Sequence, residues 1–94
     1  MDKIPGVLTG IVRDVTDPDK LGRVRVLVPA LDASNPIGWA RVVRAYGKSD
    51  GKWFSPAVDD EVLVAFEAGD ARRPYVIGAL WNSNDRPPTT KERP

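Results

Sequence analysis

Residues 60–67 read DEVLVAFE, a run of five apolar side chains between acidic residues. A short apolar run with β-branched residues and charged ends is typical of a β-strand. Successive side chains of a strand point to opposite faces, so Val62, Val64 and Phe66 are predicted to face one way, opposite to the two residues between them. Both faces of this strand are apolar, and each face therefore needs cover.

Four further segments have strand character, and turn-forming residues separate them. In RVRVLV at residues 23–28 the valines alternate with Arg and Leu and are predicted to share one face. The remaining strands are predicted at residues 6–15, 39–44 and 75–81, with the first two strands of the chain forming a hairpin. No window keeps the apolar spacing of an amphipathic helix for three turns. The sequence therefore predicts an all-β fold.

Five short strands fit a small closed barrel, because a two-sheet sandwich commonly needs about seven strands or more. We predict a five-stranded OB-type barrel over residues 1–82. From Asn82 onward the chain has no apolar side chain to bury, so residues 83–94 are predicted to be an extended C-terminal tail or connector.

Composition excludes several classes of function. The 94 residues fit one domain and contain neither Cys nor His, which excludes disulfides, zinc fingers, iron–sulfur sites and nucleophiles that depend on His or Cys. Lys and Arg number 14 against 13 Asp and Glu, a net charge of +1 that argues against partners held by bulk charge. No apolar run is long enough to span a membrane, and the first residues lack the pattern of a signal peptide. We expect no cofactor, no metal and no direct membrane insertion.

Several ordered stretches carry a family resemblance. DPDKLGRVRV at residues 17–26 resembles the first hairpin of the spike-hub OB domain of contractile injection systems. Residues 39–42, 51–56 and 60–66 resemble the middle of that domain, and residues 69–82 resemble its end. The family includes phage baseplate assembly protein V and the VgrG spikes of type VI secretion.

The positions that carry the resemblance are Asp17, Gly22, Trp39, Trp53, Pro56, Glu61, Gly69, Asp70, Pro74 and Gly78. In one place the chain departs from the family, which usually has Gly where this chain has Asp59. Asp adopts the left-handed turn conformation at modest cost, so the turn is expected to persist.

The resemblance implies a structural adaptor without catalysis, in which a homotrimer of OB domains joins a tail tube to a central spike. Its implied partners are further copies of itself, a tail tube or hub protein, and a separate β-helical spike, since no β-helical repeat follows Trp81. The protein would be made in the cytoplasm and assembled into a phage tail, a secretion system or an extracellular injection particle.

The fourth and fifth strands carry apolar side chains on both faces, and a barrel interior takes only one of them. The other face is expected to be covered by a loop or another subunit. The predicted interface residues are Leu27, Leu63, Ala65, Val76, Leu80 and Trp81.

The main alternative is an OB module that binds single-stranded nucleic acid, with aromatic rings for stacking and arginines for phosphate contacts. The rings are Trp39, Trp53, Phe54, Tyr75 and Trp81, and the arginines are Arg23, Arg25, Arg41 and Arg44. Acidic residues flank these arginines, and the net charge gives no electrostatic funnel. We therefore predict no nucleic-acid partner and interpret the aromatic residues mainly as barrel plugs and interface anchors.

A calcium-binding loop and a catalytic pair of acids are two further interpretations, and the sequence argues against both. The acids at positions 17 and 19 start like a calcium loop, but Leu21 and Val28 stand where oxygen ligands are needed. The acids at positions 59–61 are neighbours on one chain and are predicted to form a turn and a solvated charged face rather than a catalytic pair.

Overall fold

The computed structural model describes residues 3–44 and 55–87. The strands within them are β1 (Val7–Asp14), β2 (Arg25–Leu27), β3 (Arg41–Val42), β4 (Glu61–Phe66) and β5 (Pro74–Ala79). A 3₁₀ turn over Glu67–Gly69 joins β4 to β5. In this part of the chain no helix is long and apolar enough to cross a membrane. The all-β prediction is confirmed.

The five strands form one curled sheet in the order β2-β1-β4-β5-β3. β1 runs antiparallel to both β2 and β4, β4 runs antiparallel to β5, and β3 runs parallel to β5. The two ends of the sheet meet where Val24 and Ala40 exchange two backbone hydrogen bonds, with N···O distances of 3.0 and 2.7 Å. A curled five-stranded sheet of this kind is an OB-type fold, as the sequence predicted.

The hairpin of β1 and β2 is confirmed, but the strands of the seam between β2 and β3 are shorter than predicted. Regular pairing in β2 covers only Arg25–Leu27, and β3 has only Arg41–Val42. Val24 and Ala40 lie just outside these strands and pair as an isolated bridge. On one side of the bridge the N–H of Ile37 also donates to the carbonyl oxygen of Val26 at 2.9 Å. The seam of the barrel is therefore short.

The interior is filled by small, mostly β-branched side chains, which are stiff and pack well on a pleated surface. The buried apolar residues are Val12, Val24, Val26, Val28, Ala40, Val62, Val64, Phe66 and Val76. In the described part of the chain no polar or charged residue is buried as a whole, although the side chain of Asp17 is only 2% exposed. Among the described aromatic residues only Phe66 is a barrel plug, because Trp39 and Tyr75 are half-buried and Trp81 is 60% exposed.

The prediction that Val76 faces outward is wrong, since its side chain is 0% exposed. The cause is a shift in register between β4 and β5, where Leu63 lies opposite Gly78 but Val64 lies opposite Val76. Ile77 is the extra residue of this bulge and has no opposite partner. A bulge interrupts the alternation of a strand, so Val76 turns into the core and Ile77 turns outward.

Gly10 marks a close approach between β1 and β2. A Cβ atom at this position would lie 2.4 Å from Cγ1 of Val26 and 2.9 Å from the carbonyl oxygen of Leu27. The carbonyl oxygen of Leu27 belongs to the backbone, so it can move away only if the whole strand shifts. The hairpin therefore requires a residue without a side chain at this point.

Gly10→Ala is expected to lower the free energy of unfolding by about 1–3 kcal/mol, because the added methyl group overpacks the β1–β2 contact. Gly78→Ala is the matched control, since a Cβ atom there meets no atom within 4 Å and the backbone φ is not in the left-handed region. That variant is expected to stay within about 1 kcal/mol of the original protein. Urea denaturation measures both, and equal effects of the two substitutions would contradict the close approach.

Candidate functional site

Asp17 organises the loop between β1 and β2. Its carboxylate accepts hydrogen bonds from the backbone N–H groups of Asp19, Leu21 and Arg23 at 2.9, 3.1 and 3.1 Å. The Arg23 guanidinium adds two more, from Nε to Oδ2 and from Nη2 to Oδ1, both at 2.9 Å. The Asp17 side chain is only 2% exposed. Chiefly through the hydrogen bonds from the Arg23 side chain, the pKa of Asp17 lies well below its ordinary value.

The backbone of this loop closes tightly around the carboxylate. Lys20 and Gly22 adopt left-handed φ angles of 55° and 73°. Gly22 meets this requirement at no steric cost, because it has no Cβ atom. The loop is thus built around its own acidic residue, and both Asp17 oxygens are occupied by donors from the same chain.

The Trp39 ring lies beside two arginines where the two ends of the sheet meet. The Cζ atoms of Arg23 and Arg25 are 6.0 and 5.9 Å from its centroid, within the range of cation–π attraction. Nε of Arg25 also donates to the carbonyl oxygen of Ile37 at 3.2 Å. Because Asp17 holds Arg23, the β1–β2 loop fixes one side of the Trp39 environment.

The turn between β4 and β5 is ordered by Asp70. Its carboxylate accepts from the backbone N–H, Nε and Nη2 of Arg72 at 2.9, 3.1 and 3.1 Å. The side-chain hydrogen bonds from Arg72 are the main reason that the pKa of Asp70 falls to about 2. Arg73 pairs with Glu67 at 3.5 Å across the same turn.

Tyr75 connects this turn to β3. Its hydroxyl donates to Oε1 of Glu67, and that hydrogen bond is the main cause of a raised Tyr75 pKa. The Cζ atom of Arg41 lies 5.9 Å from the Tyr75 ring centroid. Arg41 and Tyr75 are far apart in sequence and become neighbours because β3 and β5 pair in parallel at these two residues. Sequence reasoning named both residues but missed their pairing.

These residues surround a cavity of about 550 Å³, which we call the basic groove. Its walls include Arg23, Trp39, Arg41, Glu67, Arg73 and Tyr75. The strand β3 and the β1–β2 and β4–β5 loops form it, and OB folds commonly bind ligands on this face. Of the rings proposed for stacking, Trp39 and Tyr75 meet here, whereas Trp53 and Phe54 lie outside the described residues.

A second surface, the outer face, lies on the opposite side of the sheet from the core. The register aligns Ala65 with Val7 of β1 and Leu63 with Thr9. Four of the predicted interface residues are half-buried: Leu27, Leu63, Ala65 and Leu80. The exposed apolar residues Val7, Ile77 and Trp81 accompany them.

The other motif residues occupy distinct structural positions. Pro56 is buried, Pro74 is buried at the start of β5, and Gly69 ends the 3₁₀ turn. Glu61 accepts a hydrogen bond of 3.0 Å from Nδ2 of Asn82. Gly78 lies opposite Leu63. Trp53 lies outside the described residues.

Asp59, where the family usually has Gly, has a left-handed φ of 77°. The turn therefore keeps its geometry with a side chain present, as expected from the tolerance of Asp for this region. The Asp59 carboxylate also pairs with Nη1 of Arg13 at 3.2 Å.

Residues 8–81 match the family of the type VI secretion system/phage-baseplate injector OB domain. The chain belongs to this family. It is 38% identical over 89 residues to the type VI secretion system spike protein VgrG5 of Pseudomonas aeruginosa, covering 87% of this chain and 11% of VgrG5. It is 36% identical over 75 residues to VgrG1a of the same organism, covering 74% of this chain and 12% of that protein. The chain thus spans about a tenth of the length of these relatives, and the resemblance read from the sequence is confirmed.

Within this injector OB domain, the Asp17 carboxylate is expected to make the stability of the fold depend on pH. The pKa of Asp17 in the folded protein lies below the value of about 3.9 in the unfolded chain. Its contribution to the free energy of unfolding is therefore complete above about pH 4 and is lost as the pH falls toward the folded pKa. Asp17→Asn is expected to lower the Tm at pH 7 by roughly 5–10 °C, because hydrogen bonds to a buried charge are lost. The difference in Tm between the two proteins should narrow steadily as the pH falls from about 4 to 2.

Asp85→Asn is the matched control, since this acid is exposed and no side-chain hydrogen bond is found for it within the described residues. Its Tm should follow that of the original protein at every pH. Thermal unfolding followed by circular dichroism between pH 2 and pH 7 measures all three proteins. A constant difference between Asp17→Asn and the original protein across this range would contradict the assignment.

Proposed function

We propose that this chain is a structural adaptor in the baseplate or spike of a contractile injection particle, where it joins the tail tube to the central spike. The family match over residues 8–81 carries the proposal. The names of the relatives, which are spike proteins of type VI secretion, support a place in the spike. Because the chain corresponds to about a tenth of those proteins, the role concerns their OB domain.

A role without catalysis agrees with the chemistry of the described residues. General acid–base catalysis works best when the pKa of the catalytic group is near the working pH. Among the described acids, Asp17 and Asp70 have the largest pKa shifts. Both pKa values are lowered, chiefly by hydrogen bonds from arginine side chains. They act as fixed structural charges, and the sequence contains no His or Cys that would replace them.

Self-association through the outer face is part of the proposal, most simply as a homotrimer. Leu63 and Ala65 are central to this face, with Val7 and Ile77 exposed around them. Contiguous apolar surface of this kind commonly marks a protein interface. Gly78 adds no side chain opposite Leu63, so a partner can approach the sheet closely at this point.

Leu63→Glu is expected to abolish self-association, because it places a charge in the centre of the proposed interface. Ile77→Glu tests the same face at a more exposed position, where the substitution disturbs the fold less. Val58→Glu is the matched control, since Val58 is exposed in the turn before β4. Light scattering over a wide concentration range measures the mass of each protein, with circular dichroism to check folding.

The original protein and Val58→Glu are expected to form trimers, and the two outer-face variants are expected to be monomers of unchanged secondary structure. An original protein that remains monomeric both alone and in the presence of its spike would contradict self-association.

The division into a barrel over residues 1–82 and a connector over residues 83–94 is also proposed. The chain turns locally after β5, where Oδ1 of Asn82 accepts from the N–H groups of Asn84 and Asp85 at 2.9 and 2.8 Å. Arg86 donates from Nε to the carbonyl oxygen of Ser83 at 3.1 Å. These hydrogen bonds join neighbouring residues between positions 82 and 86 and do not reach the buried core residues.

Deleting residues 84–94 is expected to change the Tm by no more than about 2 °C, because the hydrogen bonds found for residues 84–86 are local and the sequence of the segment offers no apolar side chain to the core. The full chain, carrying an affinity tag, is expected to capture both the tail-tube protein and the β-helical spike of its particle. The truncated chain should keep the tube protein and lose most of the spike. Co-purification followed by mass spectrometry measures both partners. Unfolding of the truncated chain, or undiminished capture of the spike, would contradict the proposed boundary or contact.

A further inference from the structure

The basic groove lies where the seam of the barrel opens. β3 pairs with β5 along one edge, and the bridge between Val24 and Ala40 precedes β3 on the other side. Among the described residues no backbone hydrogen bond links Arg41 or Val42 to the β1–β2 loop. A strand edge of this kind is a site at which an extended peptide can bind.

Arg41 is placed to recognise an anion in this groove. Within residues 3–44 and 55–87 no carboxylate pairs with it, whereas Arg23 is held by Asp17 and Arg73 by Glu67. Its guanidinium lies near the Tyr75 ring. A guanidinium that packs on an aromatic ring can still present its N–H groups at its edge, where they bind a carboxylate in a bidentate manner.

The ring that supports Arg41 is itself fixed. The Tyr75 hydroxyl donates to Glu67, and Glu67 also pairs with Arg73. These contacts restrain the ring before any ligand binds. A restrained site loses less conformational entropy on binding than a mobile one.

The charges around the groove favour a peptide over a nucleic acid. Glu67 lines the groove, and three arginines of its wall, Arg23, Arg72 and Arg73, each pair with an acid. A strand with one phosphate per nucleotide would pass close to these carboxylates. A peptide places one carboxylate at Arg41 and neutral side chains elsewhere. The cavity of about 550 Å³ falls within the range of small ligand sites, which suits a short segment of chain.

We propose that the basic groove binds an extended peptide segment of a partner protein, with one acidic side chain of that segment paired to Arg41 beside Tyr75. The peptide lies along the edge of β3 for which the described residues supply no backbone partner. This site is independent of the adaptor role, because the chemistry of the groove alone defines its ligand.

The test uses the full chain and an eight-residue peptide blocked at both ends, with one central Glu between Thr and Val residues. Its control has Gln in place of Glu. Titration followed by NMR spectroscopy of the ¹⁵N-labelled protein is expected to move the amide signals of Arg41 and Val42 and the indole signal of Trp39. The Glu peptide should bind with a Kd of roughly 1 mM or tighter, and the Gln peptide about tenfold more weakly.

Arg41→Ala is expected to weaken binding of the Glu peptide about tenfold, while Arg41→Lys keeps the charge and should lose less. Arg86→Ala removes the same charge from an exposed position outside the groove and should have no effect. The dispersion of the NMR spectrum checks that each variant is folded.

Three results would overturn the proposal. The first is equal binding of the Glu and Gln peptides, or no change in the spectrum at several millimolar peptide. The second is an equal loss of affinity in Arg41→Ala and Arg86→Ala, which would indicate general charge attraction. The third is tighter binding of a thymidine hexamer than of the Glu peptide at physiological salt, which would identify the groove as a nucleic-acid site.

Discussion

The pair of backbone hydrogen bonds between Val24 and Ala40 is the constraint on which the rest of this structure depends. It joins the two ends of a curled sheet, and so encloses the valine side chains of the core. It also brings Arg23, on one side of the bridge, close to Arg41 on the other. A sheet that remained open would expose both its interior and its edges to water and to other chains. The same closure therefore produces the core and the groove.

The size of the barrel explains why its surface is so apolar. A chain of this length buries only about 60–65% of the surface that its unfolded form exposes, so one small core gives limited stability. Among the described residues the largest fully buried side chains are all valines, each of which contributes about 1.5–3 kcal/mol when it leaves water. Leu63 and Ala65 on the outer face are only half-buried. Burying them against another subunit would remove more apolar surface from water and add stability. In the proposed trimer, burial of this face would add to the stability that the core provides.

The sequence predicted local features well and features set by distant pairing poorly. Alternation placed Val24, Val26 and Val62 correctly in the core, because the extra residues at the two register shifts lie on β1 and β5 and not on the segments that carry these valines. It failed at Val76, since the bulge at Ile77 arises from pairing with β4 and leaves no mark in the composition of β5. The sequence also contains no sign that Arg41 and Tyr75 are neighbours in the groove, because their contact depends on the parallel register of β3 and β5. The ion pair of Asp17 and Arg23 is easier to predict, because the two residues are only six positions apart in one loop.

The hydrogen bonds around Asp17 have a further consequence for the kinetics of assembly. Fixing the backbone of a loop costs about 1–2 kcal/mol per residue, and in this domain folding meets that cost before any partner arrives. The loop can then dock as a rigid body, without a slow search among its own conformations. Encounters between subunits would accordingly be limited by diffusion and orientation rather than by rearrangement of the loop. In the proposed injection particle, contacts made by this loop would form quickly, because the Asp17 carboxylate has already fixed its backbone.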